Sequence, residues 1–334
     1  MTDLDRSPTE HEAWLEARRR GVTATDVADA AAGTYGGIYG VVARKLGLEV
    51  VEENAEMRRG TAWQPVIADA VHTLTGLYVV GEETLAGASD ERWMATVDGL
   101  LAPEAEVSID DVTAVLEVKT RSPHVRPNRD RWHTQMQWQM FVTGLPRALL
   151  AEATIDDDVN ECRGVRFEWV DADPDLHVQL VDLAETIHAH VKAGTLPEPD
   201  SPSALDTVKA VWSSADADSD AVDLTDLEAD IARFDEIKAA VKAVTEERDL
   251  LEARIRNALG ESTRGQLDGW KVSLSAPAKK LTADAEAELL ETHPEFATTV
   301  LDRKRVKAEA PDLLDAFRKP VGARRLTITN KGDN

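Results

Sequence analysis

Asp98-Gly99 closes one strand-like stretch, Trp93 to Val97, and Glu117-Val118-Lys119 lies inside the next, Val112 to Thr120. Side chains alternate along a strand, so Glu117 and Lys119 share one face while Leu116 and Val118 take the other, apolar one. A carboxylate and an ammonium therefore project together beside Asp98. With the backbone carbonyl of Val118, the two carboxylates form a hard oxygen set suited to Mg²⁺, for which Mn²⁺ can substitute. Such an ion polarises a phosphoryl oxygen and generates hydroxide near neutral pH, and Lys119 can hold that water or offset developing charge. Two look-alikes lack this setting. Glu236-Ile237-Lys238 falls on a long helix and reads as a solvated, ion-paired face, and Asp268-Gly269 reads as a two-residue hairpin turn.

The elements that position these residues follow from period and punctuation. Ser7-Pro8-Thr9-Glu10 signals a helix running to about Arg20, and a hydroxyl in Thr23-Ala24-Thr25-Asp26 caps a second. A third spans about Ile38 to Leu46. Asn54 caps a longer one, on which Gln64 lies and whose apolar positions Met57, Ile67, Val71 and Leu74 recur at helical spacing. From Gly76 the period becomes two, with strands at Leu77 to Val80, Trp93 to Val97 and Val112 to Thr120. A helix over about Asp130 to Thr143, strands at Arg147 to Ala153 and Val165 to Val170, and a helix from Pro174 to Ala193 complete a mixed α/β core. On the helix after Lys119, Gln135 and Gln139 lie four apart and Gln137 sits off that line, so the three cannot all face one site. Trp63, Trp93, Trp132 and Trp138 read as core aromatics.

Composition bounds the rest. The 334 residues carry 38 Lys and Arg against 62 Asp and Glu, a formal charge of −24, with 43% hydrophobic residues, enough for a packed core. The single cysteine, Cys162, excludes an intrachain disulfide and a thiolate zinc site. No apolar run approaches the ~20 residues needed to span a bilayer, and the start lacks the basic and apolar regions of a signal peptide. A cytoplasmic protein with no membrane partner is expected. Pro197, Pro199 and Pro202, followed beyond a short helix by the acidic run Ser213 to Asp223, place a linker at 199–223, between domains at 1–198 and 224–334. The second region has an amphipathic helix from Leu224 to Gly260, suited to a helical hairpin, a partner surface or a coiled coil, then a hairpin around Gln266 to Trp270, short helices and a basic final strand, Arg324 to Ile328. Basic residues cluster despite the net charge: Arg18 to Arg20, Arg58, Arg59, Arg121, Arg126, Arg129 and Arg131 flank the proposed site, and Arg303 to Lys307 with Arg318 to Arg325 form a second group.

Five ordered motifs resemble the YqaJ-type, lambda-exonuclease-like viral recombinase nucleases of the PD-(D/E)xK superfamily, over most of residues 10 to 195. They are Trp14-Leu15-Glu16-Ala17-Arg18 with Val22 to Asp26, Arg59 to Pro65, Thr96 to Gly99, Leu116 to Lys119, and Gln135 to Gly144. The resemblance implies a restriction-endonuclease-like fold, a mixed sheet flanked by helices, here followed by a mainly helical C-terminal extension. It implies a Mg²⁺-dependent exonuclease that digests linear duplex DNA from 5′ ends, leaving 3′ single strands for recombination, working with a single-strand annealing protein and assembling as a ring trimer. Carried over by position, Asp98, Glu117 and the Val118 carbonyl hold metal, Lys119 assists the water, Gln135 or Gln137 is the active-site glutamine, and Arg18 and Thr25 contact the substrate's 5′-phosphate. A helix N-terminus at Thr25 and a guanidinium fork at Arg18 agree with that physics. The family's usual glutamate is replaced by Gln64, which removes one negative charge while leaving an amide oxygen. A non-catalytic DNA-end-binding scaffold and an endonuclease of the same superfamily are the alternatives.

Overall fold

The computed structural model describes residues 16, 18–50, 54–81, 84–87, 89–108, 111–156, 161–214 and 220–274. The chain divides into two units, Met1–Ala215 and Asp216–Asn334. The first is built on a five-stranded mixed sheet in the order β2-β5-β6-β7-β8, formed by Tyr78–Val79 (β2), Gly99–Ala102 (β5), Ala114–Arg121 (β6), Arg147–Asp156 (β7) and Glu161–Asp171 (β8). Within this sheet, among the described residues, only β6 and β7 pair in parallel, and the helix between them, Arg129–Thr143 (α4), is the crossover such a pair requires. A small sheet sets Trp93–Thr96 (β4) between Val22–Thr23 (β1) and Thr84–Ala86 (β3). Of these strands, β1, β3 and β5 go beyond the sequence reading. Asp98, expected at a strand's end, sits in the bend between β4 and β5.

Helices cover both faces of the main sheet. Asn54 accepts the Met57 N–H to start Ala55–Thr75 (α3), whose Ile67 and Val71 pack on Leu101, Leu116, Leu149, Ala151 and Ile155. The other face is covered by Ala24–Ala32 (α1), Gly37–Lys45 (α2), α4 and Pro174–Ala193 (α5), whose Val27, Val41, Met136, Trp138 and Ile187 surround Val115 and Leu150. Each such fully buried side chain contributes about 1.5–3 kcal/mol. Trp93 and Trp132 are buried here too, and Trp63 packs at the α3 face, so all four tryptophans read as core aromatics pack against the two apolar clusters. Alternation on β6 is as the sequence predicts: Leu116 goes to the α3 side and Glu117 to the α4 side.

The expected linker at 199–223 needs correction at its start. Asp200 Oδ2 accepts the Ile38 N–H at 3.2 Å, and Ser203 Oγ accepts from Gly36 N at 2.9 Å while donating to Gly33 O at 2.8 Å. The helix Ala204–Val211 (α6) packs on α2, and Trp212 Nε1 donates to the Tyr39 hydroxyl at 3.3 Å. Residues 199–214 therefore belong to the first unit, because the turn from Gly33 to Ile38 has backbone groups that no helix satisfies and this segment supplies their partners.

In the second unit a 3₁₀ turn, Thr225–Leu227, runs into Glu228–Leu259 (α7), which ends at Gly260 as the sequence predicts. Arg264–Leu267 (β9) and Trp270–Ser273 (β10) pair as a hairpin across Asp268-Gly269, where Gly269 takes φ 79°. The Ser7 to Glu10 helix start, the C-terminal short helices, the basic group at 303–325 and the final strand lie outside the described residues.

Candidate active site

Asp98 is fixed by its own sheet. Its Oδ2 accepts the Val118 N–H at 2.7 Å, so the carboxylate is tied to β6 beside Glu117. Gly99 follows because a Cβ there would meet Val79 Cγ1 at 2.5 Å. In this chain Asp-Gly at 98–99 marks a close strand crossing, whereas at 268–269 it is a turn.

Glu117 is only 1% exposed, and an isolated buried carboxylate would be prohibitively unstable. Three side chains satisfy it. Lys119 forms an ion pair with Oε1, Gln135 Nε2 donates to the same oxygen at 2.7 Å, and Gln139 Nε2 donates to Oε2 at 2.5 Å. Lys119 Nζ also donates to Gln135 Oε1 at 3.0 Å, closing a triangle of carboxylate, ammonium and amide. The Lys119 side chain keeps 20% exposure, so the triangle opens to solvent at the ammonium. Charge-assisted bonds of this kind are the stronger class.

The structure separates the glutamines. Gln135 is in the site. Gln137 is not: its Nε2 donates to Asp171 O at 2.8 Å, and its Oε1 accepts from Asp173 N at 2.9 Å and His177 Nε2 at 3.0 Å, stitching the end of β8 to the start of α5. The assignment of Gln137 as an active-site candidate is therefore corrected. Gln139, which was not proposed as a site residue, is fully buried against Glu117 and also donates to Thr96 O at 3.1 Å. Its signal was the four-residue spacing from Gln135. Its Oε1 is buried and accepts no hydrogen bond among the described residues.

Gln64 approaches from α3, on the other face of the sheet, with Nε2 3.4 Å from Asp98 O. Arg18 joins through Thr96, two residues before Asp98, its Nη1 donating to the Thr96 hydroxyl at 2.5 Å. The cap of α1 is Thr23, which exchanges hydrogen bonds with Asp26 in a capping box, and Thr25 stands on the first helical turn behind it. Lys45, 6% exposed, holds this entry: its Nζ donates to Arg18 O at 2.9 Å and Gly21 O at 2.6 Å and pairs with Asp26 at 2.7 Å. Burial pushes the Asp26 carboxyl up, but Lys45 and the Thr23 donors outweigh it and hold the group below the usual carboxylate range.

The donor set can be tested against a hard divalent cation. Among the described residues no group of three or more His, Cys, Asp or Glu side chains is arranged to hold a metal ion. The site therefore offers two carboxylates, with amide, backbone carbonyl and water oxygens to complete a shell, which is the composition Mg²⁺ accepts. Glu117 already attracts a cation, the Lys119 ammonium, on the oxygen nearest the opening. The residues fit the ion: Asp98, Glu117 and the Val118 carbonyl would hold it, with Gln64 adjacent.

Residues 13–146 match the family model of the YqaJ-like viral recombinase domain, which spans α1 to α4 and every site residue described above. No curated protein matches the chain in sequence. Among solved structures, it is similar to an alkaline exonuclease, LHK-Exo, from Laribacter hongkongensis, with 23% identity, a TM-score of 0.41, and coverage of 55% of this chain and 93% of that one. The same enzyme in complex with dAMP gives 22% identity and a TM-score of 0.42 over the same shares. A phage-related exonuclease from Haemophilus somnus 129PT gives 12% identity and a TM-score of 0.40, covering 52% of this chain and 94% of that one.

Proposed function

We propose that this chain, with a YqaJ-like viral recombinase domain at residues 13–146, is a Mg²⁺-dependent deoxyribonuclease that degrades linear duplex DNA from 5′ ends. The observation that carries the reading is the buried Glu117, held by Lys119, Gln135 and Gln139 beside an Asp98 tied to the same strand. A bound Mg²⁺ would supply Lewis acidity at the phosphoryl oxygen and a more acidic water. The chain's own residues do the rest. Asp98 and Glu117 fix negative charge on one side of the scissile phosphate. Lys119, anchored at Gln135, presents an ammonium that positions the attacking water or offsets charge developing on the phosphate oxygens. Gln135 and Gln139 keep Glu117 in one rotamer, so no reorganisation is needed when the phosphate arrives. Arg18 and Thr25 receive the terminal 5′-phosphate. The partners under this reading are duplex DNA ends and a single-strand annealing protein, with a ring trimer as the assembly.

The test uses Mg²⁺ with a labelled linear duplex, a covalently closed circle, and duplexes with and without a 5′-phosphate. Loss of the linear phosphorylated duplex alone, reduced at least ~10²-fold in Lys119→Ala, supports the proposal. Cleavage of the closed circle assigns an endonuclease, and binding to ends without turnover in Mg²⁺ or Mn²⁺ assigns a scaffold.

A further inference from the structure

A second charged cluster lies one step along β6 from Lys119. Arg121 follows two residues on, on the same face and about 7 Å away at strand rise. Glu152 of β7 is the ladder partner of Lys119, is 4% exposed, and takes Arg121 Nε at 2.6 Å together with Arg129 Nη2 at the start of α4. Arg129 also pairs with Glu168, and Arg163 with Asp156. Arg121, Arg129, Arg163 and Glu152 line a cleft of about 490 Å³, together with Arg166 and Gly164. A Cβ at Gly164 would meet no atom within 4 Å, so that edge is open.

Part of this cluster is a staple, in which Glu152 joins β6 and the start of α4. A staple does not account for Arg166. It is the ladder partner of Glu152, is exposed, and its side chain makes no hydrogen bond or ion pair among the described residues. Nor does a staple need an open cleft. Four guanidiniums, each with five N–H donors, meet three carboxylates, Glu152, Glu168 and Asp156, which leaves N–H donors and the charge of Arg166 unused. In a chain of formal charge −24 such a local excess invites an anion.

Placement narrows the anion. Arg18 and Thr96 adjoin Gln139, whereas the cleft adjoins Arg129, about 15 Å earlier along α4 at 1.5 Å per residue. Glu117 and Lys119 meet the helix between these two points. We infer that the cleft is a backbone-phosphate subsite for the DNA strand being hydrolysed, on the 3′ side of the scissile phosphate. The direction rests on the proposed 5′-end activity; the phosphate chemistry does not. The strand then runs from Arg18, across Asp98 and Lys119, into the arginine cleft.

The test measures binding of the full chain to a 5′-phosphorylated duplex and to a short single strand, with Ca²⁺ in place of Mg²⁺, across a salt series. Arg166→Glu and the milder Arg166→Gln are compared with the parent, with thermal melting as the folding check. Arg166→Glu is expected to weaken binding about tenfold and to reduce the slope of log affinity against log salt by about 0.9. Single neutral methylphosphonate linkages, moved along the strand from its 5′ end, locate the contact. At one internal linkage the parent loses affinity and Arg166→Gln loses no more, so the two changes are not additive. Unchanged slopes in both variants overturn the subsite, as does a loss that couples to no linkage, and a parent that binds neither probe does the same. Coupling without any turnover in Mg²⁺ sinks the proposed activity and leaves the subsite standing; turnover from 5′ ends without coupling does the reverse.

Discussion

Replacing Gln139 by methionine conserves volume and removes both donors of its amide, to Glu117 Oε2 at 2.5 Å and Thr96 O at 3.1 Å. A hydrogen bond to a charged group contributes about 1.5–3 kcal/mol, and the neutral bond to the Thr96 carbonyl about 1 kcal/mol. Against that, the substitution removes the unpartnered Oε1, recovering about 1 kcal/mol. The net expectation is a loss of about 2 kcal/mol, which for a unit of this size lowers the melting temperature by about 4–8 °C. Because Glu117 loses one of the two amides that fix its rotamer, kcat should fall at least tenfold with little change in KM. Gln137→Met is the matched control. It removes a buried glutamine one position either side of which the core is the same, but its partners are Asp171, Asp173 and His177. It should lower the melting temperature and leave kcat within about twofold at a temperature where both proteins are folded. Differential scanning fluorimetry and initial rates on a linear duplex read both quantities. A Gln139→Met protein with an unchanged melting temperature and kcat, or a Gln137→Met protein as inactive as Gln139→Met, would refute the division of the two glutamines.

Gln64→Glu adds a carboxylate beside Asp98, and the Mg²⁺ concentration for half-maximal rate should fall about tenfold, or 1.4 kcal/mol; an unchanged titration removes Gln64 from the metal environment. Lys45→Met removes the cation from Asp26, which keeps only its Thr23 donors, and takes a donor from two carbonyls; it should cost about 3 kcal/mol by denaturant melts. The folded pKa of Asp26 is depressed, so its contribution is complete above the unfolded carboxyl value of about 3.9 and is lost as pH falls through the lower folded value. Lys45→Met should therefore move acid unfolding to higher pH, and an unmoved acid limb counts against the pairing. Ser203→Ala leaves Gly36 N without its acceptor, while Ser201 Oγ still donates to Gly33 O, and should cost about 1 kcal/mol by denaturant melts, where a linker serine would cost nothing.

Much of the site was legible because strand alternation is strict: Glu117, Lys119 and their separation from Leu116 follow from a period of two. What escaped was local chemistry answered by distant partners. From Gln135 to Met140 polar and apolar residues alternate, a strand-like rhythm, yet the segment is helical and all six residues are buried. Each glutamine finds its partner on a different element, so no amphipathic face was there to read. β5 was missed because it is four residues long and follows an Asp-Gly that has the chemistry of a turn. A short helix after Pro202 was legible, but its docking on the first unit was not, because prolines and serines signal a loop from their own composition, while their hydrogen bonds go to a distant turn, as Ser203 to Gly36 illustrates with a separation of 167.

The six consecutive buried residues of α4 also constrain how this protein can change. Met136, Trp138 and Met140 belong to the core, Gln135 and Gln139 to the carboxylate, and Gln137 to a helix junction. A mutation there cannot adjust catalysis without disturbing packing, or the reverse. Adaptation to a new DNA end or a new temperature has freer ground elsewhere, on the cleft rim around Arg163 and Arg166 and on the exposed length of α7, where a substitution touches one role at a time.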